Sequence, residues 1–483
     1  MGTRNRSARD AADTNLSSSP DPGRPPDVPD RRPMEPTRVD GIPTAGEWNR
    51  PLRHGRQERG STIVRATRGI LRITGSDANG GPSRIPFDPR SRSPLLRIAI
   101  VIERFVPGTG GVENVAWQVA HELARVGEDV SVITRDADPA FVADRSPRSP
   151  RLHRLRIPGA WQPLRVAAFS HAAARAACRN DFDVVHGFSR TCHQDLYRAG
   201  GGSHRDYLQR THSPGGVLLR RFSPRHRILL AIEKRVFRDP DQRIQCASRL
   251  VADRLVEKYG VARDRILLLP NAVDAERYGS ATAHETGRIL RRRLDGDARQ
   301  IWLLPGSGWR RKGLPVLLEA LARLREPGTH LWIAGRDSPR PWQTLARRLG
   351  VEARVRFLGP RSDLENVYAA VDGMVLPTRY DPFANVTLEA AASGLPIVTT
   401  RSNGASEWLA EEICLLEDPK NAKELAGHLH ALAADPDRSA ELGRRARAAA
   451  RRFDWAGHVR ILRDEYRRIR ERKNAVRRGF ASR

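Results

Sequence analysis

One local order of residues occurs twice in the chain, and it narrows the possible folds sharply. LLRIAIVIERF (95–105) is a short apolar run of strand character. FVPGTGG (105–111) turns on glycines. VENVAWQVAHELARVG (112–127) then places Val112, Val115, Ala116, Val119, Ala120 and Leu123 on one helical face and stops at Gly127, and DVSVIT (129–134) is the next strand. QIWLLPGSG (300–308), KGLPVLLEALARLRE (312–326) and HLWIAG (330–335) repeat that order. DFDVVHGF (181–188) and RILLLPNAVD (265–274) extend the first set. RVRFLG (354–359), GMVLPT (373–378) and LPIVTT (395–400) extend the second, alternating with helical segments at 341–350, 364–371 and from near Asn385. Near-continuous apolar strands alternating with amphipathic helices mean parallel sheet with helices on both faces. Two such sets predict an α/β chain of two Rossmann-like parallel-sheet domains facing a central cleft, joined by a linker near 271–299.

The flanks differ. Residues 1–94 are rich in Pro, Arg, Asp, Ser and Gly, with sparse apolar residues and no sustained period. Such a segment cannot bury enough surface to offset its ordering entropy, so a disordered extension is expected. The divisions that follow are 95–275 for the first Rossmann-like domain, 276–455 for the second, and 456–483 for a closing helix that packs back toward the first domain. Helical patterns at 421–434, 438–453 and 455–473 support that ending.

The formal charge of +28, carried mainly by arginine, fits a polyanionic partner and fits equally an arginine-rich codon bias. No nucleic-acid recognition motif accompanies it, so nucleic acid is not expected as a partner. Cys178, Cys192, Cys246 and Cys414 are far apart and form no CxxC pair, which argues against a disulfide framework or zinc knuckle and for a reducing cytosol. No signal-peptide core opens the chain, and no apolar run approaches a membrane span.

In open parallel sheets, ligands bind beyond the carboxyl ends of the strands. PGSGWRRKG (305–313) lies at such an end. Its glycines let backbone approach a ligand, and Arg310, Arg311 and Lys312 put charge at a helix entrance, which suits a diphosphate; a basic surface turn has the same composition. RYDPFANVTLEAAASGLPIVTT (379–400) brackets another helix entrance with Asp381 and Glu389. One carboxylate could accept from a ribose diol and the other from a sugar, while acidic residues near a helix's positive end suit a simple capped helix as well.

The order GG-V-E, D-V-V-H, R-K-G, then Asp, seven residues, Glu-A-x-A-x-G-L-P-I-V resembles the family 4 glycosyltransferases of GT-B fold, over roughly Leu95 to Tyr466. Within them the chain resembles lipopolysaccharide core α-1,3-glucosyltransferases, through Gly306, Ser307, Arg311, Lys312, Gly313 and GFSRTCHQDLY (187–197). The resemblance implies that Glu389 binds the ribose, that Asp381 lies at the donor sugar where the family usually has Glu, and that Lys312 binds the diphosphate. It places Gly110 and Gly111 beneath the donor phosphate, with Gly306, Ser307, Phe383, Ala384, Asn385 and Val386 also against the donor. His186 falls at a family histidine position, although Phe188 stands where a second histidine often occurs, and Gly306 replaces the family's usual arginine.

The function implied is retaining transfer of a hexose, by default glucose from UDP-glucose, to a lipid-linked or lipopolysaccharide-core saccharide, with Arg311, Lys312, Asp381 and His186 as the catalytic set and with no cofactor and no metal. A sugar-nucleotide 2-epimerase of the same fold, or transfer to another glycolipid or exopolysaccharide intermediate, is the alternative. The expected place is the cytoplasm, peripheral on the anionic inner face of the cytoplasmic membrane. The candidate anchor is RHRILLAIEKRVF (225–237), where Ile228, Leu229, Ile232 and Val236 share a helical face with Arg227, Lys234 and Arg238 close by, and Arg220, Arg221, Arg225 and Arg227 are the arginines expected to meet anionic headgroups.

Overall fold

Four of the five residues of the strand Arg97–Val101 are buried, on both faces of the chain rather than one, which is possible only for a strand covered on both sides. The computed structural model describes residues 95–483 except 144–145, 147, 158–160, 213, 325 and 482–483. The expected disordered extension, 1–94, lies outside the described residues. In chain order the strands of the first half are β1 (Arg97–Val101), β2 (Arg104–Phe105), β3 (Asp129–Thr134), β4 (Asp136–Ala137), β5 (Arg151–Arg154), β6 (Val184–Gly187), β7 (Leu196–Arg198), β8 (Arg243–Cys246) and β9 (Ile266–Leu268). Those of the second half are β10 (Gln300–Pro305), β11 (Thr329–Ala334), β12 (Val355–Gly359), β13 (Gly373–Leu376), β14 (Ile397–Thr400) and β15 (Cys414–Leu416).

The first sheet runs β5-β3-β1-β6-β7-β8-β9 and the second β12-β11-β10-β13-β14-β15, with β2 and β4 as a separate ribbon. Every pairing in both sheets is parallel. In each sheet the chain winds outward in one direction and then restarts on the other side of its first strand, between β1 and β6 and between β10 and β13. Those are the two switch points, where the connections diverge and leave a crevice at the strands' carboxyl ends. The two glycine loops follow β1 and β10. Two Rossmann-like parallel sheets are what the repeated order predicted.

The sequence pattern missed the short strands β5, β7, β8 and β15 and several helices. The span expected as a linker carries helix Ala281–Asp295, which packs on helix Leu364–Ala369 so closely that a Cβ at Gly287 would lie 2.7 Å from Ala369 backbone. Its residues are mostly polar, so no clear apolar period announces it.

The anchor helix needs correction. Helix Pro224–Arg238 exists, but its apolar face belongs to the core: Ile232, Val236 and Phe237 are buried against Tyr197, Ile244 and Leu255 with Ile228 packed beside them, and Leu229 is buried as well. Burying those side chains in protein leaves them nothing to offer a lipid. The exposed apolar residues are one helix earlier, on and just after Pro214–Arg221: Leu218, Leu219 and Phe222, at 57%, 73% and 73% exposure. Among the described residues no helix is long and apolar enough to cross a membrane.

The closing helix, Trp455–Ala481, returns to the first sheet. Val459, Leu462, Tyr466 and Ile469 are buried among Ile98, Ile100, Val115 and Val119. Charge pairs fix its register: Glu465 with Arg243 at 2.6 Å, Arg463 with Glu128 at 2.6 Å, and Lys473 with Asp195 at 3.0 Å. Leu462 is fully buried, so Leu462→Ala should destabilise the protein by about 2–5 kcal/mol. A urea titration followed by circular dichroism checks this; a loss below about 1 kcal/mol would mean the helix contributes little to the first half.

Candidate functional site

A cleft of about 450 Å³ lies where the carboxyl ends of the two sheets meet. Its walls include the first glycine loop (Gly108–Val112), the second (Gly306, Ser307), Arg311 and Lys312, and the segment Tyr380–Val386 with Glu389. Every predicted site residue except His186 lines it.

The second loop is shaped by two glycines. Gly306 has φ of +86°, a conformation costly for other residues, and a Cβ there would stand 2.7 Å from the Lys312 Nζ. Gly313 has φ of +89°, and its Cβ would meet the Pro377 carbonyl at 2.1 Å. The helix therefore begins only at Leu314, and Arg311 and Lys312 belong to the turn before it. Trp309 is buried beneath. Asp337 accepts from the backbone N–H of Gly308 at 2.7 Å.

Lys312 is buried, and its Nζ donates to the Pro305 carbonyl at 3.0 Å. Burial depresses its pKa from 10.5 to about 8; Arg311 pushes the same way, and Asp381 and Glu389 oppose. Arg311 donates to the Tyr380 carbonyl at 2.6 Å and to Asp381 Oδ2 at 2.9 Å. Asp381 is itself buried. The predicted sugar-side carboxylate is thus already ion-paired to a predicted phosphate-side cation, and the pair couples the two loops.

Helix Asn385–Ala392 starts at Ala384 with no side-chain cap, so its first turn presents backbone donors to the cleft. Asn403, fully buried, steadies the entrance: its Oδ1 accepts from Ala384 N–H at 3.2 Å, and its Nδ2 donates to Thr387 at 2.8 Å. Glu389 lies one turn in. Burial raises its carboxyl pKa, opposed by the Tyr368 hydroxyl, which donates to Oε2 at 3.1 Å, and by the charges of Lys312 and Arg277.

His186 is placed elsewhere. It lies in β6, one residue before its end, fully buried away from the cleft lining, where Nδ1 and the Tyr466 hydroxyl share a hydrogen bond of 2.7 Å. Burial, with Arg198 and His458 nearby, holds its pKa well below the usual range, so it stays neutral.

The polar residues of the cleft wall that escaped the sequence reading include Arg336, Arg198 and Asn271. Arg336 spans the halves, donating to the carbonyls of Thr109 (2.6 Å) and Gly108, while its backbone N–H donates to the Ser307 hydroxyl at 3.0 Å. Arg198 donates to Asn271 Oδ1 at 2.6 Å, and Asn271 donates to Asn385 Oδ1 at 2.6 Å. Asn385 in turn donates to the Gly111 carbonyl at 3.3 Å. Arg198 directly follows the quoted stretch GFSRTCHQDLY, but a three-residue strand carries no period to mark it.

Two family models, curated relatives and solved structures resemble the chain. The family model described as Glycosyltransferase Family 4 matches residues 109–277, and that described as Glycosyl transferases group 1 matches 299–435. The D-inositol 3-phosphate glycosyltransferase of Saccharomonospora viridis is 30% identical over 402 residues, covering 75% of this chain and 90% of the relative. The lipopolysaccharide glucosyltransferase WaaG of Escherichia coli is 27% identical over 340 residues, covering 68% and 87%. Among solved structures, that of WaaG superposes with a TM-score of 0.66 at 23% identity, covering 76% of this chain and 99% of that one. Anabaena HepE, solved with UDP and glucose, gives 0.59 at 19% identity, covering 77% and 99%.

The depressed pKa of Lys312 makes two measurements diverge. Below pH 8 the folded protein holds a charge that the unfolded chain holds more easily, which subtracts stability; between about pH 8 and 10.5 the folded state sheds the proton first and the penalty fades. Lys312→Met should therefore stabilise the ligand-free protein at pH 7 by on the order of 2 kcal/mol, net of the lost hydrogen bond, and by little at pH 10. Denaturation at the two pH values checks this, and equal effects at both would refute it.

Proposed function

The chain belongs to glycosyltransferase family 4, and on that premise we propose that it moves a hexose, by default glucose from UDP-glucose, to a lipid-linked or lipopolysaccharide-core saccharide with retention of anomeric configuration. The supporting observation is the convergence in one cleft of a buried ammonium, an uncapped helix start and a carboxylate one turn further in. Lys312, Arg311 and the donors of Asn385 and Val386 suit a diphosphate, with Gly306, Ser307, Gly110 and Gly111 letting backbone close around it. Glu389 suits the ribose diol. Phe383 and Ala384 lie beside the same helix start, and Asp381 sits at the sugar.

Chemistry by this arrangement is preorganised electrostatics. The acceptor hydroxyl attacks the anomeric carbon from the face the diphosphate leaves. A C–O bond forms as the bond to the diphosphate oxygen breaks, and the hydroxyl proton passes to a phosphate oxygen. Lys312 and Arg311 stabilise the charge that grows on the leaving group. His186, neutral and away from the cleft lining, supports β6 without touching substrate.

Labelled UDP-glucose incubated with purified lipid acceptors tests the reaction. A new α-linkage by NMR, with a rate unchanged by EDTA, is expected; free glucose alone, an epimerised nucleotide sugar, or activity lost to EDTA and restored by Mg²⁺ would refute it. Glu389→Ala should weaken UDP binding by about 1.5–3 kcal/mol in calorimetry.

A lipid-linked acceptor puts the enzyme at a membrane surface. The exposed Leu218, Leu219 and Phe222, with exposed Arg225 and Arg227 close in sequence, suit an interface with anionic headgroups. Co-sedimentation with vesicles containing anionic lipid should fall with salt, and fall further when all three apolar residues become Ser or when Arg220, Arg225 and Arg227 do. Equal binding to neutral and anionic vesicles, or none, would remove the membrane from the reading.

A further inference from the structure

Arg198 carries a buried charge with no counter-ion. Its side chain is 4% exposed, yet it lines the cleft. Among the described residues no carboxylate pairs with it. Its single hydrogen bond goes from Nη2 to the neutral Asn271 side chain, and Nε and Nη1 have no partner. The remaining support is the Phe188 ring, 5.4 Å from the guanidinium carbon. Burial lowers its pKa to about 10, which leaves it charged at neutral pH. A buried guanidinium with two idle donors is costly unless an anion completes it.

The segment that covers that place carries no side chains. Gly200 directly overlies the guanidinium, where a Cβ would stand 1.7 Å from Nη1, and a Cβ at Gly201 would meet nothing within 4 Å. Both glycines and Tyr207 line the same cleft. Arg198 ends β7 of the first sheet, whereas Gly306, Arg311 and Lys312 come from the second. The Asn271–Asn385 relay sets Arg198 two hydrogen bonds from the helix start proposed to hold the diphosphate, on the opposing wall.

We propose that Arg198 reads a negatively charged substituent, a phosphate or a carboxylate, on the saccharide that accepts the transferred sugar, an assignment that rests on the transferase reading above. A charged acceptor beside a diphosphate needs a cation of its own, and Arg198 supplies one on the acceptor's wall. The guanidinium, with Nε and Nη1 unpartnered, supplies the donors, and neither Gly200 nor Gly201 puts a side chain in the way. A neutral saccharide would leave those donors unmet, so Arg198 determines acceptor specificity rather than turnover of the donor.

Calorimetry on the full chain saturated with UDP tests this, using glucose 6-phosphate, glucuronate and glucose as probes. At least tenfold tighter binding of one or both anionic sugars than of glucose is expected, the preferred one identifying phosphate or carboxylate. Arg198→Gln should erase the preference while leaving UDP affinity within twofold, and Arg198→Lys should keep part of it. No preference in the wild type overturns the proposal. So does a tenfold loss of UDP affinity in Arg198→Gln, which would assign Arg198 to the donor. Failure to bind UDP at all would sink the donor reading alone, since the effect of Arg198→Gln on glucose 6-phosphate binding can be read without nucleotide in a Lys312→Met background. Ligand-free Arg198→Met should melt no lower than wild type; a lower melting temperature would make the guanidinium a structural group and overturn the proposal.

Discussion

An ammonium group held away from water shapes one whole wall of the cleft. Lys312 cannot sit there unless the chain around it gives way. Gly306 gives way by adopting a left-handed backbone that removes a side chain from the path of Nζ, and Gly313 by letting the following helix begin against the Pro377 carbonyl. The cost of burying the charge is reduced by the Pro305 carbonyl and by the fields of Asp381 and Glu389. Those carboxylates are themselves held by Arg311 and Tyr368. Each partner stabilises the next, so the loop, the acidic turn and the helix start form one unit. Such a unit sacrifices stability for a field pointed into the cleft, which is the usual character of a preorganised site.

The two halves meet through polar groups as well as packing. Asn271 reaches Asn385, the Ser248 hydroxyl donates to the Pro382 carbonyl at 2.7 Å, and the Trp408 indole donates to the Ala247 carbonyl at 3.2 Å. Arg336 grips the first glycine loop from the second half. These contacts hold the mouths of both switch points against each other. The closing helix adds a further restraint, since it leaves the second half near Phe453, whose carbonyl accepts from the Val273 N–H at 2.8 Å, and buries Leu462 and Tyr466 in the first.

Charge is distributed unequally among these roles. Many arginines pair with nearby carboxylates at the surface, as Arg347 does with Glu352 at 2.9 Å, and such exposed pairs contribute little. Lys312 and Arg198 are different because burial leaves their charge unscreened. The large positive balance of the sequence is therefore a poor guide to function. Two buried cations on facing walls say more than the whole surface excess.

Periodicity alone determined that this chain folds as two parallel sheets with glycine loops at their carboxyl ends, because strands covered on both faces must be apolar throughout and the helices between them must be amphipathic. The residue types at 305–313 and 379–389 likewise marked the diphosphate and diol candidates, since those functions need cations, carboxylates and a helix start close together in sequence. Tertiary structure decided the rest. His186 faces Tyr466 and not the cleft because a helix 280 residues later packs against its strand. The apolar face of Pro224–Arg238 belongs to the core because β7 and β8, too short to show a period, lie beneath it. Arg198 and Arg336 gain their meaning from partners more than seventy and two hundred residues away. A sequence records which side chains a segment owns, but whether a charge is paired, buried or aimed into a cleft depends on what distant segments place beside it, and only packing settles that.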